Sequence, residues 1–142
     1  MKSPHRNHVG FTLIEMLLVV VIIGILAAIV VPSMIDKRKD ADRSAAKGAM
    51  ASFCSALDAY AVDSGRYPST DQGLEALIVK PSTSPEPRNW RGPYLRVVDL
   101  PTDPWGHSFR YFNPGAARPP LFDLYCLGED GVEGTDDDIR AF

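Results

Sequence analysis

The chain has 142 residues, 15 Lys and Arg against 18 Asp and Glu, a formal charge of −3 at pH 7 and 45% apolar residues. That length holds one modest folded unit plus one extended element. A mildly acidic chain without a basic, aromatic-interleaved stripe is not built to hold nucleic acid, and no nucleic-acid partner is expected.

The chain opens on MKSPHRNHVG, a polar leader carrying Lys2 and Arg6. From Phe11 to Val31 the one strongly polar side chain is Glu15. At about 1.5 Å per residue such a run covers roughly 30 Å as a helix, the hydrocarbon thickness of a bilayer. Leader and run superficially match a secretory signal peptide. Three features argue against one: the run is longer than the usual apolar region, no Ala-x-Ala site followed by a polar start closes it, and Glu15 interrupts it. A carboxylate in a spanning helix costs about 2.5 to 3.5 kcal/mol, so it calls for a partner.

Beyond Pro32, apolar residues recur at three- and four-residue steps through Met50, Phe53, Cys54, Leu57, Tyr60 and Ala61. That spacing predicts a helix packed on one side, ending near Ser64 and Gly65. Gly24 and Pro32 weaken its earlier part, where a bend or melted stretch is expected. Ser69 and Gln72 have capping-box spacing and predict a short helix to about Ile78, stopped before Pro81. The Ser/Pro-rich piece from Pro81 to Pro87 reads as a loop. Phe109 to Phe112 and Leu121 to Leu127 predict antiparallel strands joined by NPGAARPP. Trp90, Tyr94 and Trp105 are expected to pack the core of so small a domain.

The chain closes on LGEDGVEGTDDDIRAF, where six carboxylates gather around Gly131 and Gly134. Like charges about 4 Å apart repel by roughly 4 kcal/mol at an effective dielectric near 20, and Arg140 is too little to offset them. Calcium suits such a loop because it takes carboxylate and carbonyl oxygens together, though the spacing is not that of an EF-hand. Composition leaves a solvated acidic tail equally open. Cys54 and Cys126 lie far apart and lack metal or redox spacing. They are open to two readings, a disulfide in an oxidising compartment or two small buried thiols. His107, beside Ser108 in an expected turn, reads as a surface residue, and no hydrolase motif accompanies it. A membrane-anchored hydrolase using the acidic cluster as its metal site is therefore the weaker reading of function.

These strings resemble a known family. Gly10 followed by FTLIE resembles the class III signal of type IV pilins and type II secretion pseudopilins. RYPSTDQGLEAL, GPYL, LPTDPWG and GEDGVEGTDDDI are similar to type II secretion major pseudopilins over nearly the whole chain. The resemblance implies an α+β, type IV pilin-like fold: a long N-terminal helix, its first half transmembrane, packed on a small antiparallel sheet with a C-terminal calcium-binding loop.

It further implies a leader (1–10) cut by a prepilin peptidase between Gly10 and Phe11, with N-methylation of Phe11. A transmembrane and filament-core helix (11–31) and a periplasmic globular domain (32–142) follow. Glu15 then meets the new amine of Phe11 during assembly, keeping a buried charge paired, and methylation retains that amine's charge. The implied calcium is structural, held by Asp130, Asp137 and Asp138 side chains and the Leu127 and Val132 carbonyls; Asp136 matches a position that is acidic in the family but not usually a ligand. The implied partners are other copies, minor pseudopilins, an inner-membrane assembly platform and the lipid bilayer. The implied function is structural: a short periplasmic filament that drives folded proteins through the outer membrane. A type IV or competence pilus is the nearest alternative. Charge alone points the other way on topology. Lys2 and Arg6 precede the span and Lys37, Arg38, Lys39 and Arg43 follow it, which by the positive-inside rule puts the C-terminal part in the cytoplasm. The implied cytosolic peptidase puts it in the periplasm.

Overall fold

The computed structural model describes residues 10–115 and 122–142, with the backbone alone for 30–36. Helix α1 (Leu13–Ser64) begins at a cap: the Thr12 carbonyl accepts the amides of Glu15 at 3.1 Å and Met16 at 3.3 Å. The Thr12 hydroxyl also takes the Glu15 amide at 3.3 Å, satisfying a donor that the helix itself leaves unpaired. At the other end Gly65, with φ 75°, donates to the Ala61 carbonyl at 2.8 Å. Glycine takes that left-handed turn without strain, and the helix stops where expected. No melted stretch interrupts α1 at Gly24 or Pro32. Proline removes one bond of the ladder, and propagation on both sides supplies one per residue.

Two compact units divide between Lys39 and Asp40. In the first, every described side chain of the apolar run is exposed, from Phe11 at 75% to Ile29 at 68%. Among the described residues no helix is long and apolar enough to cross a membrane. The run in the sequence continues through Val30 and Val31, whose side chains lie outside those residues.

In the second unit, Ala46, Met50, Phe53, Leu57 and Tyr60 of α1 are each exposed by 1% or less. Their spacing keeps them on one stripe, and that stripe packs on a three-stranded antiparallel sheet. The strands are β1 (Arg110–Phe112), β2 (Asp123–Cys126) and β3 (Ile139–Arg140), in that order. Tyr111 lies opposite Leu124 and Cys126 opposite Ile139, and all four are buried. Phe53 meets Phe109 edge to face at 5.1 Å. The first two strands are the expected ones, shortened at their ends. Most of the connection between them, and Leu121, lies outside the described residues.

The Ser69 and Gln72 box forms, with the Ser69 amide on Gln72 Oε1 at 3.0 Å and the Gln72 amide on Ser69 Oγ at 3.2 Å. It closes a turn, and the helix after it is a single 3-10 turn, Leu74–Leu77, in place of the expected longer one. Gly73, at φ 62° and ψ −166°, breaks the path between them. Gln72 Nε2 also donates to the carbonyls of Thr83 at 2.8 Å and Pro85 at 3.1 Å, fixing the Ser/Pro loop. Trp90, Tyr94 and Trp105 pack on the core as expected, with Trp90 Nε1 donating to the Ala76 carbonyl at 3.0 Å.

Candidate functional site

Two places carry the expected site residues. At the chain's start, Gly10 and Phe11 lie exposed before α1, and Glu15 falls in its first turn. Thr12, Leu13, Ile14 and Glu15 have the spacing of a capping box, whose threonine half is formed. A cut after Gly10 leaves that cap on the mature chain. The string TLIE carries this signal inside a run that reads first as a membrane segment. A first-turn carboxylate also sits where the helix dipole favours negative charge.

The second place is the acidic loop after β2. Leu127, 6% exposed, anchors its start, and Val132, 55% exposed, lies at its rim. Gly128, Gly131 and Gly134 take φ of 67°, 67° and 90°, so the chain curls tightly. The curl brings Asp130, Val132 and Asp137 around Thr135. Its hydroxyl lies 2.5 Å from Asp137 Oδ1, 3.1 Å from the Val132 carbonyl and 3.3 Å from Asp130 Oδ1. A hydroxyl has one hydrogen to give, so it serves one of these three oxygens at a time.

Backbone amides brace the same carboxylates. Asp137 Oδ2 accepts the Asp130 amide at 3.1 Å, Asp130 Oδ1 the Val132 amide at 2.8 Å, and Asp138 Oδ2 the Gly134 amide at 2.9 Å. The Thr135 hydroxyl first, and the Asp130 amide second, hold the Asp137 carboxyl below the usual carboxylate range. Asp138 Oδ1 is buried without a hydrogen-bond partner, a costly state for an acceptor.

Among the described residues no three His, Cys, Asp or Glu side chains converge as a ligand group. A cation here would have to draw on backbone oxygens such as the Val132 carbonyl as well as on aspartates. An all-oxygen set mixing carboxylate and carbonyl, with one orphaned buried carboxylate oxygen, fits a hard cation such as calcium. Thr135 was not among the expected residues. Its signal was position, a hydroxyl two residues before Asp137 in a run otherwise read for charge.

Cys54 is half-buried and Cys126 buried, and both are free thiols. Burial pushes each thiol up, Cys54 with help from Asp58 and Cys126 from Asp103. A thiol held protonated is a poorer nucleophile than a thiolate.

A family model described as type II secretion system protein G matches residues 33–141. The chain belongs to the type II secretion system protein G family. A second model, the prokaryotic N-terminal methylation motif, matches residues 6–31, across Gly10, Phe11 and Glu15. The type II secretion system core protein G of Pseudomonas aeruginosa is 50% identical over 133 residues, covering 93% of this chain and 91% of that protein. Its counterpart in Vibrio cholerae is 48% identical over 130 residues, 91% of this chain and 86% of that one. The crystal structure of the major pseudopilin from the type 2 secretion system of enterohaemorrhagic Escherichia coli superposes with a TM-score of 0.67. It is 43% identical and covers 78% of this chain and 95% of that one. This protein G family member therefore has the α+β, pilin-like fold of a major pseudopilin.

Proposed function

We propose that the chain is a structural subunit of a type II secretion pseudopilus. A prepilin peptidase cuts it between Gly10 and Phe11, the new amine is methylated, residues 11–31 hold it in the bacterial inner membrane, and residues 32–142 face the periplasm. Copies then stack through their N-terminal helices, with minor pseudopilins and an inner-membrane assembly platform, into a filament that drives folded proteins across the outer membrane. Membership of a family of pseudopilin subunits, and not of enzymes, supports this reading.

The observation that carries it is the bare apolar surface of α1 from Leu13 to Ile29 with one carboxylate in its first turn. Apolar surface exposed on all sides of a helix is not left in water. Lipid covers it in the single subunit and neighbouring helices cover it in the filament. In that setting Glu15 needs an opposite charge, and the methylated amine of a neighbour's Phe11 supplies one.

Calcium, by drawing together the side chains of Asp130, Asp137 and Asp138 and the carbonyls of Leu127 and Val132, neutralises the charge of the acidic loop and closes it beside the sheet. Thr135 orients Asp130 and Asp137 for this, and Tyr125 steadies the loop through Glu133. The test of the whole reading is Glu15→Ala expressed in cells lacking the native subunit. The variant is expected to insert and be cut but to form no filament and export nothing; filaments and export at wild-type level would contradict the reading.

A further inference from the structure

The buried turn before β1 reaches the acidic loop through His107. Asp103 is 4% exposed, and its Oδ1 accepts the amides of His107 at 2.7 Å and Trp105 at 3.1 Å. The backbone closes the same turn, with the Asp103 amide on the His107 carbonyl at 2.8 Å and the Gly106 amide on the Asp103 carbonyl at 3.0 Å. Four bonds thus fix where the imidazole starts. Asp103 Oδ2, buried and without a hydrogen bond, lies 3.7 Å from His107 Nδ1.

From there the ring crosses to the loop. His107 Nδ1 is 3.2 Å from the Gly128 carbonyl. A carbonyl oxygen only accepts, so Nδ1 is the donor. On the other side of Asp130, a Cβ at Gly131 would stand 2.7 Å from His107 Nε2, which means the ring lies flush on the bare backbone there. A Cβ at Gly128 would likewise stand 2.4 Å from Asp137 Oδ2. The segment that carries Asp130 is therefore set against the imidazole at Gly128 and Gly131, and Gly128 in turn against Asp137.

We propose that His107 is the positioning residue that holds the acidic loop in its cation-binding shape, by donating from Nδ1 to the Gly128 carbonyl. The inference rests on the calcium reading given above. The ring contributes no ligand; it fixes the backbone from which Asp130 and the Val132 carbonyl project. A buried carboxylate, Asp103, fixes the ring.

The test uses the full chain in detergent micelles and three substitutions. Asparagine carries its amide nitrogen one bond beyond Cγ, as histidine carries Nδ1, so His107→Asn keeps a donor; His107→Phe keeps bulk without the donor, and His107→Ala loses both. Calcium affinity and amide exchange in chelator are measured for each. His107→Ala and His107→Phe are expected to lose calcium affinity by about tenfold, with His107→Asn within about twofold of wild type. In chelator, the amides of Asp130 and Val132 should exchange faster in the first two variants, while the Tyr94 amide, bonded to the Leu77 carbonyl at 2.7 Å, keeps its rate.

Wild-type affinity and exchange in His107→Phe overturn the proposal, as does His107→Asn falling as far as His107→Ala. If the Tyr94 amide also quickens in His107→Ala, that variant has loosened globally and the Phe and Asn pair decides. A wild-type chain that takes up no calcium removes the calcium reading, and exchange in chelator then judges the role of His107 alone.

Discussion

The Tyr125 hydroxyl donates to Glu133 Oε1 at 2.5 Å and so ties the middle strand of the sheet to the acidic loop. The Arg140 guanidinium lies over the same ring, 5.0 Å from its centre, and Phe112 stacks at 6.2 Å. Burial first, and Glu133 second, push the Tyr125 phenol up to about 12. Burial pushes Tyr111 up further still, while its hydroxyl donates to the Pro68 carbonyl at 2.8 Å.

The pH consequence has a definite sign. A phenol whose folded value is raised stabilises the fold fully below its unfolded value, about 10, and that contribution is lost as pH climbs through the folded value. The melting temperature should therefore fall as pH rises above about 10. Phenolate absorbance should lag behind that of free tyrosine and then rise with unfolding. Tyrosines ionising like free tyrosine in the folded protein would refute this.

Thr135→Val keeps the shape and removes the hydroxyl that holds Asp137 down. A depressed carboxylate stabilises the fold above its unfolded value, about 3.9, and this is lost as pH falls through the lower folded value. The variant should have a lower melting temperature at neutral pH and unfold at a higher pH during acid titration. An acid unfolding midpoint equal to wild type would count against the role given to Thr135.

Two glycines should respond to alanine with opposite signs. Gly48 lies in α1 with open space around it, so Gly48→Ala should stabilise by about 1 kcal/mol. Gly128 has φ 67°, and its Cβ would meet Asp137 Oδ2 at 2.4 Å, so Gly128→Ala should lower the melting temperature clearly. Thermal unfolding of both variants settles the pair, and equal shifts would show the loop to be less tightly wound than described.

The core stripe gives a second contrast. Phe53→Ala removes a side chain 1% exposed and packed on Phe109, and should cost about 3 to 5 kcal/mol. Val62→Ala, at 83% exposed on the same helix, should change stability by no more than about 0.5 kcal/mol. Denaturant unfolding of the two variants measures the gap.

Much of this was legible in the sequence where period and punctuation agree. Met50, Phe53, Leu57 and Tyr60 repeat at helical steps and are buried together, and Gly65 ends α1 because nothing else takes its turn so cheaply. Strand β3 was missed because its two residues, Ile139 and Arg140, are too short to show alternation inside an acidic run. The four-residue helix after Gln72 was overextended because a capping box marks a start and says nothing of length, and Gly73 intervenes. At the loop, charge marked the aspartates, whereas Thr135 and His107 enter through hydrogen bonds that only the folded path brings into range.

The central claim is that the chain is cut after Gly10 and enters a filament by its new end. Mass spectrometry of the protein taken from its own bacterial membrane tests this most directly. The account predicts a chain starting at N-methylated Phe11; an intact Met1, or a start near Pro32 that discards the apolar run, would contradict it.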